Sequence, residues 1–159
     1  MEVKLARIDN RLLHGIVASQ WSPSVGAMRV MIIDDEVAGD ELKKNGMKLA
    51  KPAGCALSII SLETALTNYK NGKYTGQTVF LIVKNPQTIL ELLDAGIKIS
   101  KLNIGATAEK NNEIKLSGQA TITKEEMKLY REIYDRGTAI EIQYIPADTI
   151  IQFKNFLEK

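Results

Sequence analysis

Residues 78–96, TVFLIVKNPQTILELLDAG, carry the pattern that decides the fold. Thr78 and the five residues VFLIV after it form a run of strand length that is apolar from Val79 to Val83, as expected for a strand buried on both faces. Asn85-Pro86 then supplies a helix cap and a proline at the first helical position, and Gly96 stops the helix. A doubly buried strand running directly into a helix is the repeating unit of a parallel α/β sheet.

The same unit recurs on either side. Residues 3–8 read as a first strand. Residues 15–21 read as a helix with Ile16, Val17, Gln20 and Trp21 on one side. Residues 29–33 form a β-branched second strand, ending in Asp34-Asp35-Glu36, acids suited to the start of a helix running to about residue 49. Residues 56–60 make a third strand, with Ser61 capping the next helix. A short fifth strand is expected at 101–104. Thr123-Lys124-Glu125-Glu126 is a capping box for a helix that Gly137 closes. A strand at 139–145 and a last helix near 147–156 complete the chain. Residues 105–119 are polar, and Asn111-Asn112 suggests a turn in a small hairpin or ordered loop. The expected architecture is a single α/β domain over residues 1–159, with a mostly parallel central sheet and helices on both faces.

Composition agrees. The 159 residues are 45% hydrophobic and 25% charged, ordinary for one globular core. With 21 basic and 19 acidic residues interspersed, net charge is +2, and no basic stripe with interleaved aromatics supports nucleic-acid binding. No apolar run approaches the roughly 20 residues of a membrane span. The start MEVKLARID lacks a signal-peptide core, and a single cysteine, Cys55, fits a reducing compartment, so a cytoplasmic location is expected. Cys55 reads as a small buried apolar residue, Trp21 as a core anchor, and Tyr130 and Tyr134, four apart on one helix, as packing.

Ligands of such folds sit beyond the carboxyl ends of the strands. Directly after strand one comes RIDNRLLHG (residues 7–15), containing the one histidine of the chain, His14. A neutral imidazole is a nucleophile, and on a phosphoryl group its attack would give a phosphohistidine. Donors to hold that anion are near: Arg11 three residues back, and the amides of Leu13, His14 and Gly15 if the loop forms a nest into the helix. Gly15 leaves the approach clear. Asp9 can orient the ring and expose one nitrogen, or can pair with Arg7 or Arg11 and only fix the loop; the residues themselves allow either. Asp34 and Asp35 after strand two, and Lys84 and Asn85 after strand four, lie at the same edge as candidate supports for the loop or the phosphate. A histidine serving only the fold remains the bland alternative.

The segment RIDNRLLHGIVASQW resembles the signature of the enzyme IIB component of the mannose/sorbose family of the bacterial phosphoenolpyruvate-dependent sugar phosphotransferase system. That signature has the form R-[IV]-D-x-R-L-[IL]-H-G-Q-V followed by a tryptophan. Arg7, Asp9, Arg11, Leu12, His14, Gly15, Val17 and Trp21 match it. The likeness continues through IIDDEVAGDELKK, KLAKPAG and VFLIVKNPQTILELLDAGIKISKLNIG. It implies a phosphotransferase in which His14, through Nδ1, accepts a phosphoryl group from a IIA partner. The group then passes to a sugar held by the membrane components IIC and IID. Arg11 and the loop amides would hold the phosphate, and neither metal nor organic cofactor is implied. Ile16 departs from the usual glutamine, Asn10 from an acid or small polar residue, and the ATAEKNNEIKLSG segment after Gly105 from the common pattern. These departures bear on docking or sugar preference and leave Asp9, Arg11 and His14 in place.

Two competing readings are weaker. VMIIDDE and FLIVK suggest a receiver domain with Mg²⁺-binding acids, but the third strand ends in Ser61-Leu62-Glu63, without the required acceptor aspartate. A non-catalytic nucleotide-binding or scaffolding domain lacks any glycine-rich phosphate loop after strand one.

Overall fold

The computed structural model describes residues 1–108 and 114–157. Strand β1 (Glu2–Asp9) is followed by a helical segment whose middle, Val17–Trp21, takes the wide π form: the Ser22 amide bonds to the Val17 carbonyl, five residues back. It continues into α1 (Ser22–Val25), then β2 (Arg29–Ile33), α2 (Asp35–Ala38), α3 (Glu41–Leu49), β3 (Ala56–Ile60) and α4 (Leu62–Lys70). Next come β4 (Thr78–Val83), α5 (Pro86–Asp94), β5 (Lys101–Ala106), the strands β6 (Ile114–Lys115) and β7 (Thr121–Ile122), α6 (Lys124–Asp135), β8 (Ala139–Ile142) and β9 (Ile151–Gln152).

Seven strands form one sheet in the order β3-β2-β4-β1-β5-β8-β9. Among the described residues every pairing in this sheet is parallel except β8–β9 at the edge, so the expected mostly parallel sheet is what forms. Alternation along β4 divides the core. Val79, Leu81 and Val83 pack with residues of α4, α5 and α6, such as Ala65, Ile89 and Ile133. Phe80 and Ile82 point the other way, to Val17, Trp21 and Val37, with Met47 of α3 alongside. Helices therefore cover both faces. Each fully buried aliphatic side chain contributes roughly 1.5–3 kcal/mol, which explains why β4 carries no polar residue after Thr78.

The caps read from sequence form: the side chains of Ser61, Asn85 and Thr123 each accept from an amide three residues on, and Glu126 closes the capping box. Four expectations need correction. The helix expected from Asp34 to residue 49 is two helices, because Asp40 caps a second start by accepting from the Lys43 amide at 3.1 Å. Gln20 does not join the buried side of its helix; the π turn leaves it exposed while Val17 and Trp21 are buried. The strand expected to reach residue 145 ends at Ile142, because the next two carbonyls are taken by side chains described below. The helix expected at 147–156 is instead the antiparallel edge strand β9 and a 3₁₀ turn, Phe153–Phe156, with Phe153 fully buried against Tyr130 and Tyr134. Part of the polar 105–119 segment does form a hairpin, Ile114 pairing with Ile122. Asn111 and Asn112, where a turn was expected, lie outside the described residues.

Candidate functional site at the end of the first strand

β1 lies at the centre of the sheet between β4 and β5. The chain leaves β1 toward one face and leaves β4 toward the other, the arrangement that opens a crevice at the strands' carboxyl ends. Along β1, Ala6 and Ile8 enter the larger core, while Arg7 faces the other side, where Trp21 lies. Arg7 is completely buried, as is Asp9.

A buried guanidinium must have its donors satisfied, and here every one is used. Nε and Nη2 donate to Asp9 Oδ2 at 3.2 and 3.0 Å, Nη1 donates to Asn103 Oδ1 at 2.6 Å and to the Gln143 carbonyl at 3.3 Å, and Nη2 also reaches the Tyr144 carbonyl at 3.1 Å. Its Cζ lies 4.8 Å from the Trp21 ring centre, and the Trp21 indole N–H donates to the Tyr144 carbonyl at 2.8 Å. Burial lowers the Arg7 pKa, and the Asp9 carboxylate works against that shift. Gly105 makes room: a Cβ there would overlap the guanidinium. It sits where the β1–β5 register slips, Ile8 facing Ile104 and Asp9 facing Ala106.

Asp9 does both things the sequence left open. It pairs with Arg7, and its Oδ2 also lies 3.0 Å from His14 Nε2, while Oδ1 accepts the Arg11 amide at 3.0 Å. Burial pushes the Asp9 carboxyl upward, but the His14 hydrogen bond, the Arg11 amide and the Arg7 charge outweigh it, holding the group below the usual aspartate range. An ionised carboxylate only accepts, so the contact selects the neutral tautomer with its proton on Nε2, in which Nδ1 has the lone pair. The His14 side chain is 15% exposed, open enough for a reagent to reach.

The loop between them is tight. The Leu12 amide donates to the Asp9 carbonyl at 3.1 Å, and Leu12 adopts a left-handed φ of 57°, unusual for a residue with a branched side chain. Full burial of that side chain offsets a strain on the order of 1–2 kcal/mol. After the turn, the His14 carbonyl accepts from Ala18, so Gly15, Ile16 and Val17 hold first-turn amides without intrahelical acceptors. Arg11 is exposed, its Nη2 donating to the Tyr144 hydroxyl at 2.8 Å. Arg11 and Tyr144 line a cleft of about 450 Å³ with Ala106, Thr107, Lys115, Gly118, Gln119 and Thr121.

The other expected residues stand apart. Asp34 caps α2 through the Val37 amide and pairs with Lys84 at 3.6 Å; Asp35 accepts from the Leu62 amide at 2.9 Å; Asn85 caps α5 through Thr88. Asp34, Asp35 and Asn85 line a second cleft beside Leu62 and Glu91, to which Lys84 is tied through Asp34, and none of the four is hydrogen-bonded to Asp9, Arg11 or His14. Arg7, which the sequence offered as a pairing partner of Asp9, is its buried support. Asn103, Gln143 and Tyr144 went unsuspected as site residues. Only the NIG segment, Asn103-Ile104-Gly105, gave a signal. Among the described residues, no group of three or more His, Cys, Asp or Glu side chains is placed to hold a metal, and no helix is long and apolar enough to cross a membrane.

Comparison with known proteins identifies the family of the chain. The family model described as PTS system sorbose subfamily IIB component matches residues 3–159. The chain is 32% identical to the sorbose-specific EIIB component of Klebsiella pneumoniae over 159 residues, covering 100% of this chain and 95% of that protein. It is 27% identical to the mannose-specific EIIAB component of Escherichia coli K12, covering 100% of this chain but 49% of that longer protein. The crystal structure of the IIBSor domain of the Klebsiella pneumoniae sorbose permease superimposes with a TM-score of 0.91 at 30% identity, covering 99% of this chain and 97% of that one. The chain therefore belongs to the sorbose-subfamily IIB components of the phosphotransferase system, phosphotransferases that accept a phosphoryl group from IIA and pass it to a sugar.

Proposed function

We propose that His14 is the phosphoryl acceptor of this IIB component and that Nδ1 is the attacking atom. The observation that carries the reading is the 3.0 Å contact between His14 Nε2 and Asp9 Oδ2, which engages Nε2 and leaves Nδ1 as the nitrogen with a lone pair to attack. In the first step the Nδ1–P bond forms as the N–P bond of a phosphorylated IIA histidine breaks. The ring, still protonated at Nε2, becomes cationic, and the Asp9 carboxylate stabilises that charge. In the second step the Nδ1–P bond breaks as a sugar hydroxyl oxygen bonds to phosphorus and loses its proton to water, and the ring leaves neutral. The cationic ring is a good leaving group, so the same carboxylate serves transfer in both directions.

Arg11 and the first-turn amides of Gly15, Ile16 and Val17 are the donors that hold the phosphoryl oxygens. IIB components work with IIA and with membrane components of the same system. For this chain the partners are a IIA protein and a IIC/IID permease at the cytoplasmic face of the membrane, where the permease holds the sugar. Relatives of the chain are named for sorbose, mannose, fructose and N-acetylgalactosamine, which supports a hexose or an amino derivative of one as its sugar. Incubation with phosphoenolpyruvate, the general phosphotransferase proteins and a IIA tests the reading. Acid-labile, alkali-stable phosphate should appear on the wild-type chain and not on His14→Ala. Label persisting on His14→Ala would refute it.

A further inference from the structure

We propose that Tyr144 is a positioning residue that holds the Arg11 guanidinium ready for the phosphoryl anion, an inference that rests on His14 being the acceptor. An exposed arginine is normally spread over many rotamers and must be ordered before it can grip an oxyanion. Arg11 is clamped at both ends: its backbone amide donates to Asp9 Oδ1 at 3.0 Å, and its Nη2 donates to the Tyr144 hydroxyl at 2.8 Å.

Tyr144 is itself anchored. Its carbonyl accepts from Trp21 Nε1 at 2.8 Å and from Arg7 Nη2 at 3.1 Å, and Arg7 grips the Asp9 that orients His14. One buried network thus fixes both the nucleophile and the platform on which Arg11 rests.

The chemistry of the platform matters. A carboxylate in place of the hydroxyl would restrain Arg11 equally well but would cancel its charge and compete with the phosphate. A phenol is neutral, occupies a single N–H, and leaves the rest of the five-donor fork and its full positive charge available. Both side chains face the cleft that also holds Lys115, a second cation for an incoming anion.

The test compares wild type, Tyr144→Phe, Arg11→Ala and the double variant. The readouts are the rate of His14 phosphorylation by phosphorylated IIA, the ³¹P shift of the product, and the ¹⁵N relaxation of Arg11 Nε. Tyr144→Phe should slow phosphorylation about threefold to tenfold, the range expected for immobilising one long side chain. It should also move the ³¹P shift and render Arg11 Nε mobile. In the Arg11→Ala background the same change should do nothing more. Wild-type behaviour in Tyr144→Phe, a faster rate, or an equal loss in both backgrounds would overturn the role of Tyr144 alone. A wild-type chain that takes no phosphate on His14 overturns the underlying reading as well, so the two failures are distinguishable.

Discussion

The guanidinium of Arg7 lies so close over Gly105 that no other residue at that position leaves it where it is. Arg7 in turn fixes the Asp9 oxygen that holds His14. Gly105→Ala should force Arg7 aside, with a loss of about 1–3 kcal/mol from overpacking. His14 phosphorylation should also slow markedly, although residue 105 does not touch the ring. Urea unfolding together with a single-turnover assay checks both; a variant as stable and as active as wild type would contradict the role given to Arg7.

Asp9→Asn tests the orienting carboxylate. An amide can donate to Nε2, which moves the ring proton to Nδ1 and removes the attacking lone pair. The rate should fall on the order of 10⁴-fold, the scale of a wrong-tautomer defect. Stability should drop by about 3 kcal/mol, because Arg7 is left buried without its counter-charge. A rate within tenfold of wild type would mean that Asp9 only shapes the loop.

Acid should weaken the fold through the same group. The folded pKa of Asp9 is depressed: burial raises it, but the His14 hydrogen bond, the Arg11 amide and Arg7 together pull it lower. Between the folded and unfolded values the unfolded chain binds more protons, so stability rises with pH across that window. Its contribution is complete above the unfolded value of about 3.9 and is lost as pH falls through the lower folded value. The difference in urea midpoint between wild type and Asp9→Asn should hold steady from pH 7 to about pH 5, then shrink below about pH 4. A difference that grows in acid has the wrong sign for this account.

Lys84→Ala should leave His14 phosphorylation within about twofold of wild type. Lys84 pairs with Asp34 at 3.6 Å and Glu36 at 3.8 Å, and such partly exposed pairs are worth about 0–1 kcal/mol. A large loss in the single-turnover rate would bring the second cleft into the reaction.

What the sequence displays and what it hides follow from range. The cap at Asn85, the capping box at Thr123 and the apolar β4 are written within a few residues, and each forms as read. The placement of His14 after a central strand follows from the same alternation. Arg7 is different. Its partners Asn103 and Tyr144 lie 96 and 137 positions along the chain, and a charged residue inside a strand carries no local mark of burial. The break at Asp40 was obscured because the acids before it already supplied a plausible helix start. The edge strand β9 was hidden because Pro146 and Asp148 shape a turn that lets Ile151 return to Ile142. Resemblance suggested the role proposed for His14, and the structure adds the contact of its Nε2 with Asp9.

The central claim concerns a single atom, and ¹⁵N–³¹P NMR of the chain phosphorylated by its IIA partner addresses it directly. Coupling from phosphorus to Nδ1 of His14, with the proton retained on Nε2, is the expected spectrum. Phosphorus attached to Nε2, or to any residue other than His14, would contradict the account.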